Sequence, residues 1–330
     1  MHDFNRRQII RHLCAAGAAL SLPLAARANP LHTARITVGF PPGDMADGIA
    51  RLVGDQLRGR YADAVLIDNK PGAAARMAIS QFIKYKNDGS EVLFTPGAMY
   101  ALFPHVFEKL PYDPAADLMP VARVATSAFG LAVGPAAPAD VKTLDQYLAW
   151  ARKDPKNASY GTSGAGTGIH LTAEYLTRLS KTPLTMVPYR GASLAVNDLL
   201  AGQIPAQMAT IPSLIEHARG GKVRFIAVSS PERLKALPDV PTFKELGYPQ
   251  LVTDDFFGFF LPAKTSPEIA ASLSRAILDG LKEPKVIANL ENLGLTVSPS
   301  ASPADFTSYV AQELKKWGDI AKRTEFKPLA

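Results

Sequence analysis

The sequence predicts an α/β protein built from two α/β units, and three observations support this prediction. Short runs of β-branched and aliphatic residues alternate with segments of helical periodicity along the chain. The loops between them are short, which favours strands joined through helices that cover a sheet. The length of 330 residues, 47% of them hydrophobic, fits roughly two domains, each with its own core.

The N-terminal segment, residues 1–28, differs from the rest of the chain. An arginine pair opens a basic stretch, an apolar run follows over residues 13–24, and Ala-Arg-Ala at 26–28 is a cleavage motif of the A-x-A kind. This order is typical of a signal peptide. The arginine pair also occurs in twin-arginine export signals, and general secretion is the alternative route. We therefore expect export to the periplasm and removal of this segment, which contains the only cysteine, Cys14.

The charge of the chain is mildly basic. Half of the net charge of +6 lies within residues 1–28, so the mature chain keeps only a small excess of positive charge. Such an excess suits an anionic small ligand, and no block of Lys and Arg suggests nucleic acid. The six histidines show no metal-binding spacing, and no cofactor is expected.

The first α/β unit opens the mature chain. Strands are predicted at residues 35–40, 64–68 and 91–95, with helices at 47–58 and 73–84. Apolar residues recur three or four positions apart in the first helix, which is the spacing of one helix face. The order βαβαβ predicts a parallel sheet covered by helices.

A second α/β series follows, and three helices close the chain. The elements of the second series are predicted at residues 129–133, 144–152, 159–160, 167–179, 184–187, 194–201, 206–209 and 224–229. A buried aromatic strand is expected at 255–261, with helices at 267–281, 284–293 and 303–322. Each of these three helices has a proline near its start, where proline is well tolerated.

Three glycine-bearing loops follow predicted strands, and we name them by order: the first loop (41–47), the second loop (95–100) and the third loop (160–170). In open α/β sheets, ligands bind beyond the carboxyl ends of the strands, where helix N-termini attract anions. In the first loop, Asp47 is predicted to cap the following helix. A capped turn that binds no ligand is the alternative interpretation of this loop.

The third loop is the strongest indication of a binding site. Four glycines and three hydroxyl-bearing residues lie within positions 161–168, directly before a helix. Consecutive backbone amides in such a loop can form a nest for an anion. The loop lacks the lysine of a P-loop, and a structural loop without a ligand is the alternative. Arg190 follows another strand and could either pair with a carboxylate or lie on the surface.

A hydrolase site with Ser163 as nucleophile and His170 as base is a further possibility that the sequence disfavours. The nucleophile elbow requires glycine two residues after the serine, and Ala165 stands there. We therefore expect no catalysis.

The ordered motifs of the chain resemble the substrate-binding proteins of tripartite tricarboxylate transporters, also called the Bordetella uptake or Bug family. The resemblance runs from about residue 35 to the C-terminus. It is carried by FPPG at 40–43, DNKPGA at 68–73, the third loop, VPYRG at 187–191, DLLAGQ at 198–203 and LPDVPT at 237–242.

This resemblance implies a two-lobed periplasmic-binding-protein fold of type II, with a ligand cleft between two α/β lobes. Residues 29–127 and 255–330 would form lobe I, and 128–254 would form lobe II. The residues that would hold a ligand carboxylate are Pro42, Gly43, Asp47, Gly97, Ala98, Ser163, Gly164, Thr167, Arg190 and Gly191.

The family also implies a function. The protein would capture a small organic carboxylate and deliver it to the membrane permease subunits of the transporter, acting as a monomer. A periplasmic sensor that reports the same kind of ligand to a histidine kinase is the alternative.

Two departures from the family pattern concern the ligand. The family shows paired glycines in the first loop, whereas this chain has Gly43 followed by Asp44. Asp44 could repel a second carboxylate, receive a ligand amine or point to solvent. The family also favours glycine near Ala75 and tryptophan near Phe256.

Overall fold

Three parallel strands at one edge of the sheet confirm the first predicted unit. The computed structural model describes residues 31–189 and 191–330, so the predicted signal peptide and Arg190 lie outside the described residues. Strand β1 pairs with both β2 and β3 in parallel. The elements of this unit are β1 (Leu31–Val38), α1 (Met45–Leu57), β2 (Ala62–Asn69), α2 (Arg76–Phe82) and β3 (Glu91–Pro96).

Two long strands connect the first unit to the second. Strand β4 (Leu118–Val133) has 16 residues, and β9 (Asp254–Pro262) lies between it and β3. Both of these pairings are antiparallel, so the sheet is mixed and not wholly parallel as the βαβαβ pattern predicted. Three one-turn helices precede β4, namely α3 (Ala98–Ala101), α4 (Phe103–Val106) and α5 (Pro114–Asp117).

The second half of β4 belongs to the second unit. It pairs antiparallel with β7 and β8, while β5 lies between β6 and β7 in parallel. The strands of this unit are β5 (Ser159–Thr162), β6 (Thr185–Pro188), β7 (Ala206–Thr210) and β8 (Arg224–Val228). Its helices are α6 (Leu144–Ala151), α7 (Gly168–Ser180), α8 (Ala192–Leu200) and α9 (Ile211–Arg219).

Three helices close the chain, as predicted: α10 (Pro267–Gly280), α11 (Pro284–Asn292) and α12 (Pro303–Arg323). Each begins with proline, whose missing N–H costs nothing in the first turn because that amide has no partner within the helix. A two-residue strand, β10 (Thr296–Val297), adds to β4.

The aromatic strand β9 is buried on both faces. Phe256 and Phe260 contact Phe306 of α12, while Phe257 and Phe259 stack near Phe94 of β3. Successive side chains of a strand point to opposite faces, so helices must cover this sheet on both sides. This arrangement explains the two pairs of phenylalanines on either side of Gly258 and confirms the predicted buried strand.

The predicted lobe boundaries fall on the two connecting strands. Position 127/128 lies within β4, and 254/255 lies at the start of β9, where the chain passes from one sheet to the other. The assignment of residues to two lobes that move about these strands stays a prediction. Within the described residues, no helix combines the length and apolar character that crossing a membrane would require.

Candidate functional site

The first loop is fixed by two acidic side chains at the start of α1. Asp44, not Asp47, caps the helix: its Oδ1 accepts a hydrogen bond from the Ala46 amide at 3.0 Å. The predicted cap was wrong because Asp47 lies three residues after Asp44, inside the first turn of the helix. Asp44 is exposed, as are Pro42 and Gly43. The capping role accounts for an acidic residue at position 44, and a role towards a ligand stays a prediction.

Asp47 instead holds the first loop to the sheet. Its Oδ2 accepts from the Gly43 amide and from Arg51 Nε, both at 2.9 Å, and its Oδ1 accepts from Asn69 Nδ2 at 2.9 Å. Burial tends to raise the pKa of Asp47, but these three hydrogen bonds outweigh it and keep the pKa below its usual value. The Gly43 amide, which we predicted for a ligand, is therefore already used by the protein.

The second loop is similarly occupied. The Gly97 amide donates to the Phe256 carbonyl at 2.6 Å, and the Ala98 amide donates to Asp255 Oδ1 at 3.0 Å. A methyl group at position 97 would lie 2.2 Å from the Phe256 ring, so glycine is needed there for packing. Neither amide of the predicted pair is thus available in this structure, and the acceptors come from β9.

The third loop leaves three of its amides without a partner among the described residues. Gly164 has a φ of +151° and Gly166 a φ of +73°, backbone conformations that other residues rarely adopt. Thr167 caps the 13-residue helix α7, since its Oγ1 accepts from the His170 amide at 3.2 Å and donates to the Gly164 carbonyl at 2.9 Å. Among hydrogen bonds between described residues, none uses the amides of Ser163, Gly164 or Thr167.

The segment after β6 lies next to the third loop. The Tyr189 amide donates to the Thr162 carbonyl at 3.0 Å, and a Cβ at Gly164 would lie 3.9 Å from the Tyr189 carbonyl. The Tyr189 hydroxyl donates to Asp198 Oδ2 at 2.7 Å. Gly191 precedes α8 with a φ of +115° and open space around it. The structure therefore brings Tyr189 to the third loop; Gly191 follows two residues later without a contact to that loop among the described residues, and Arg190 lies outside them.

His170 has a structural role at the start of α7. Its Nδ1 accepts from the Gly166 amide at 3.2 Å, and its Nε2 lies 3.7 Å from Glu174 Oε1. Both ring nitrogens are thus directed at groups other than Ser163. A base poised to activate the Ser163 hydroxyl would need one of them within hydrogen-bond reach, so the geometry does not favour a hydrolase site.

Sequence reasoning missed Asp255 and Ser127. Asp255 stood at the start of the predicted aromatic strand, and its contact with Ala98 joins residues 157 positions apart. Ser127 pairs with Asp255 in the antiparallel register of β4 and β9, and its buried Oγ has no partner among the described residues. The one feature of the sequence that could have indicated this contact is a charged residue at the start of a strongly apolar strand. Such a residue needs a polar partner when it is buried.

The fold and these loops define a class of protein. Two α/β units connected by crossing strands, with glycine loops at helix N-termini, are the architecture of a two-lobed solute-binding protein. The model of the tripartite tricarboxylate transporter family receptor matches residues 49–326. The chain belongs to this family, as the sequence motifs predicted.

Individual relatives agree with this assignment. Protein BugT of Bordetella pertussis is 29% identical over 310 residues, which cover 94% of this chain and 94% of BugT. R. palustris Rpa4515, solved with adipate, is 28% identical with a TM-score of 0.80 over 90% of this chain and 98% of that one. MatC from Rhodopseudomonas palustris, solved with bound malate, is 26% identical with a TM-score of 0.75 over 88% and 99%.

Proposed function

We propose that this protein captures a small organic carboxylate in the periplasm and delivers it to the permease subunits of a tripartite transporter. The observation that carries the proposal is the third loop, where the amides of Ser163, Gly164 and Thr167, at the N-terminus of α7, have no partner among the described residues. These amides and the helix dipole suit a carboxylate. Family membership supports the transport role.

The relatives support an organic acid as the ligand. Rpa4515 was solved with adipate and MatC with malate, and both share the fold of this chain over most of its length. We propose that closure of the two lobes excludes water and strengthens the amide-to-carboxylate hydrogen bonds. The protein then releases its ligand unchanged, acting as an exported monomer.

A thermal-shift screen of the purified protein tests this proposal. The panel contains dicarboxylates, aromatic acids and amino acids, with uncharged sugars as the matched control. A ligand at about 100 times its dissociation constant should stabilise the native state by about 2.7 kcal/mol. Stabilisation by at least one carboxylate and by none of the sugars is expected. Stabilisation by sugars alone, or by no carboxylate across the panel, would contradict the proposal.

A further inference from the structure

Asp255 supplies a carboxylate to an amide that the sequence analysis predicted for a ligand. Its Oδ1 accepts from the Ala98 amide at 3.0 Å, at the point where β9 enters the first sheet. The partner of Asp255 across the sheet is Ser127, which is 1% exposed and whose Oγ has no partner in the described chain. A carboxylate bonded to an amide thus lies beside the second loop, with a buried hydroxyl at the paired position of the neighbouring strand.

Asp255 is half-buried at the start of β9. The residue keeps some contact with solvent, yet protein surrounds its carboxyl closely. Burial is the main reason that the pKa of Asp255 rises to about 7, with the charges of Asp254 and Glu313 adding to the rise and the Ala98 amide opposing it. Because Asp255 is only half-buried, a small molecule can reach it from solvent.

The neighbouring Asp254 differs from Asp255 because it has a cation partner. Neighbouring residues on a strand point to opposite faces. Asp254 lies 3.6 Å from Lys316 Nζ and lines a separate cavity of about 520 Å³ with Arg123 and Tyr309. The ion pairs between described residues include none to Asp255, so its carboxylate has an amide partner but no cation.

We propose that Asp255 determines ligand specificity, so that the site takes a carboxylate carrying an ammonium group at its far end and disfavours a dicarboxylate. The inference rests on the proposed function, because the first carboxylate binds at the third loop. A second carboxylate would find the Ala98 amide occupied and would face the Asp255 carboxylate, and like charges in an enclosed site repel. An ammonium group would complete the ion pair that the protein leaves open.

Matched ligand pairs test the inference by calorimetry on the full chain. Each pair differs only by replacement of one carboxylate with an amino group: succinate with β-alanine, glutarate with γ-aminobutyrate, and adipate with δ-aminovalerate. At about pH 8, where the Asp255 carboxyl is mostly ionised, the amino ligand of the best-binding length should bind wild type at least about tenfold more tightly. Asp255→Asn keeps an acceptor for the Ala98 amide and should remove this preference. Asp254→Asn removes the same charge on the other face and should keep it.

The outcomes separate the inference from the function on which it rests. Tighter binding of the dicarboxylate to wild type would overturn the inference and leave the carboxylate-binding function in place. An unchanged preference in Asp255→Asn, with its circular dichroism spectrum matching wild type, would overturn it too. Absence of binding by every member of the three pairs, to wild type and to the variant, would count against the inference and the proposed function together.

Discussion

The second and third loops each follow a strand and contain glycine, but the protein uses their backbone amides differently. In the second loop, the amides of Gly97 and Ala98 donate to Phe256 and Asp255 of the neighbouring strand. In the third loop, the amides of Gly164 and Thr167 have no acceptor among the described residues. Gly164 and Thr167 are half-buried, so a ligand or water can reach and satisfy these amides, as backbone donors require.

A glycine in a loop therefore has two separate uses in this molecule. Gly97 allows the Phe256 ring to approach the backbone, because a Cβ there would lie 2.2 Å from the ring. Gly164 allows a rare backbone conformation and faces open space, since a methyl group added there would meet its nearest non-neighbouring atoms only at 3.9 Å. The first use serves packing, and the second leaves room for a ligand to reach the backbone.

The largest expected effect follows from adding a charge to the third loop. Gly164→Asp places a carboxylate beside the amides that we assign to the ligand, so ligand affinity should fall by about a hundredfold or more. Calorimetry with the best ligand of the screen measures the loss. Gly221→Asp is the matched control, because Gly221 also has a positive φ of +68° and open surroundings, on the turn between α9 and β8. Equal losses in both variants would contradict the assignment.

The next effect concerns the first loop, whose Gly43 amide is held by Asp47. Asp47→Asn should lower the free energy of unfolding by about 2 kcal/mol at neutral pH, because Arg51 loses its charged partner. The pKa of Asp47 is lower in the folded protein, so its contribution is present above about pH 4 and is lost as the pH falls through the folded pKa.

Denaturant unfolding at neutral pH and at about pH 3 measures this contribution. Asp55→Asn, an exposed position on the same helix, is the control and should change stability by less than about 0.5 kcal/mol. A loss for Asp47→Asn that stays constant down to low pH would contradict the ionic origin of the effect.

A smaller effect of opposite sign is expected at Asp255. Its pKa of about 7 lies above that of the unfolded chain, so the folded protein holds an extra proton between about pH 4 and pH 7. This group therefore lowers the free energy of unfolding as the pH rises through that range. Asp255→Asn should be more stable than wild type by about 1 to 2 kcal/mol at about pH 8, with a smaller gain at about pH 5.

Thermal unfolding at both pH values tests this expectation for Asp255. Asp254, Glu313 and Lys316 are the charged neighbours, and Asp254→Asn should not reproduce a gain that grows with pH. A gain for Asp255→Asn that is equal at both pH values would exclude the titration of Asp255 as its cause.

The smallest effect lies in the turn before α2. Ala73, Ala74 and Ala75 have φ values of 46°, 52° and 66°, a left-handed run that costs each alanine about 1 kcal/mol. Ala74→Gly should therefore raise the free energy of unfolding by about 1 kcal/mol. The same change at exposed, helical Ala271 should lower it by about as much. Equal signs in the two variants, measured by denaturant unfolding, would show that Ala74 is not strained.

Sequence patterns predicted the elements but not the partners of their loops. Residue spacing predicted α1 and α7 within a few residues, because a helix face repeats locally along the chain. The bond between Ala98 and Asp255 depends on how β9 inserts between β3 and β4, and no local pattern contains that register. Likewise, Asp44 and Asp47 are both acceptable caps from sequence, and their roles are separated by the residue at which α1 begins and by the distant contact of Asp47 with Asn69.

The third loop holds the ligand carboxylate, in our proposal, while the second loop stays bonded to β9. A crystal structure of the protein with the best ligand of the screen tests this division of roles most directly. We expect a carboxylate oxygen within about 3.2 Å of the Gly164 or Thr167 amide, with Asp255 still accepting from Ala98. A carboxylate bound at the Ala98 amide, with Asp255 displaced and the third-loop amides uncontacted, would contradict it.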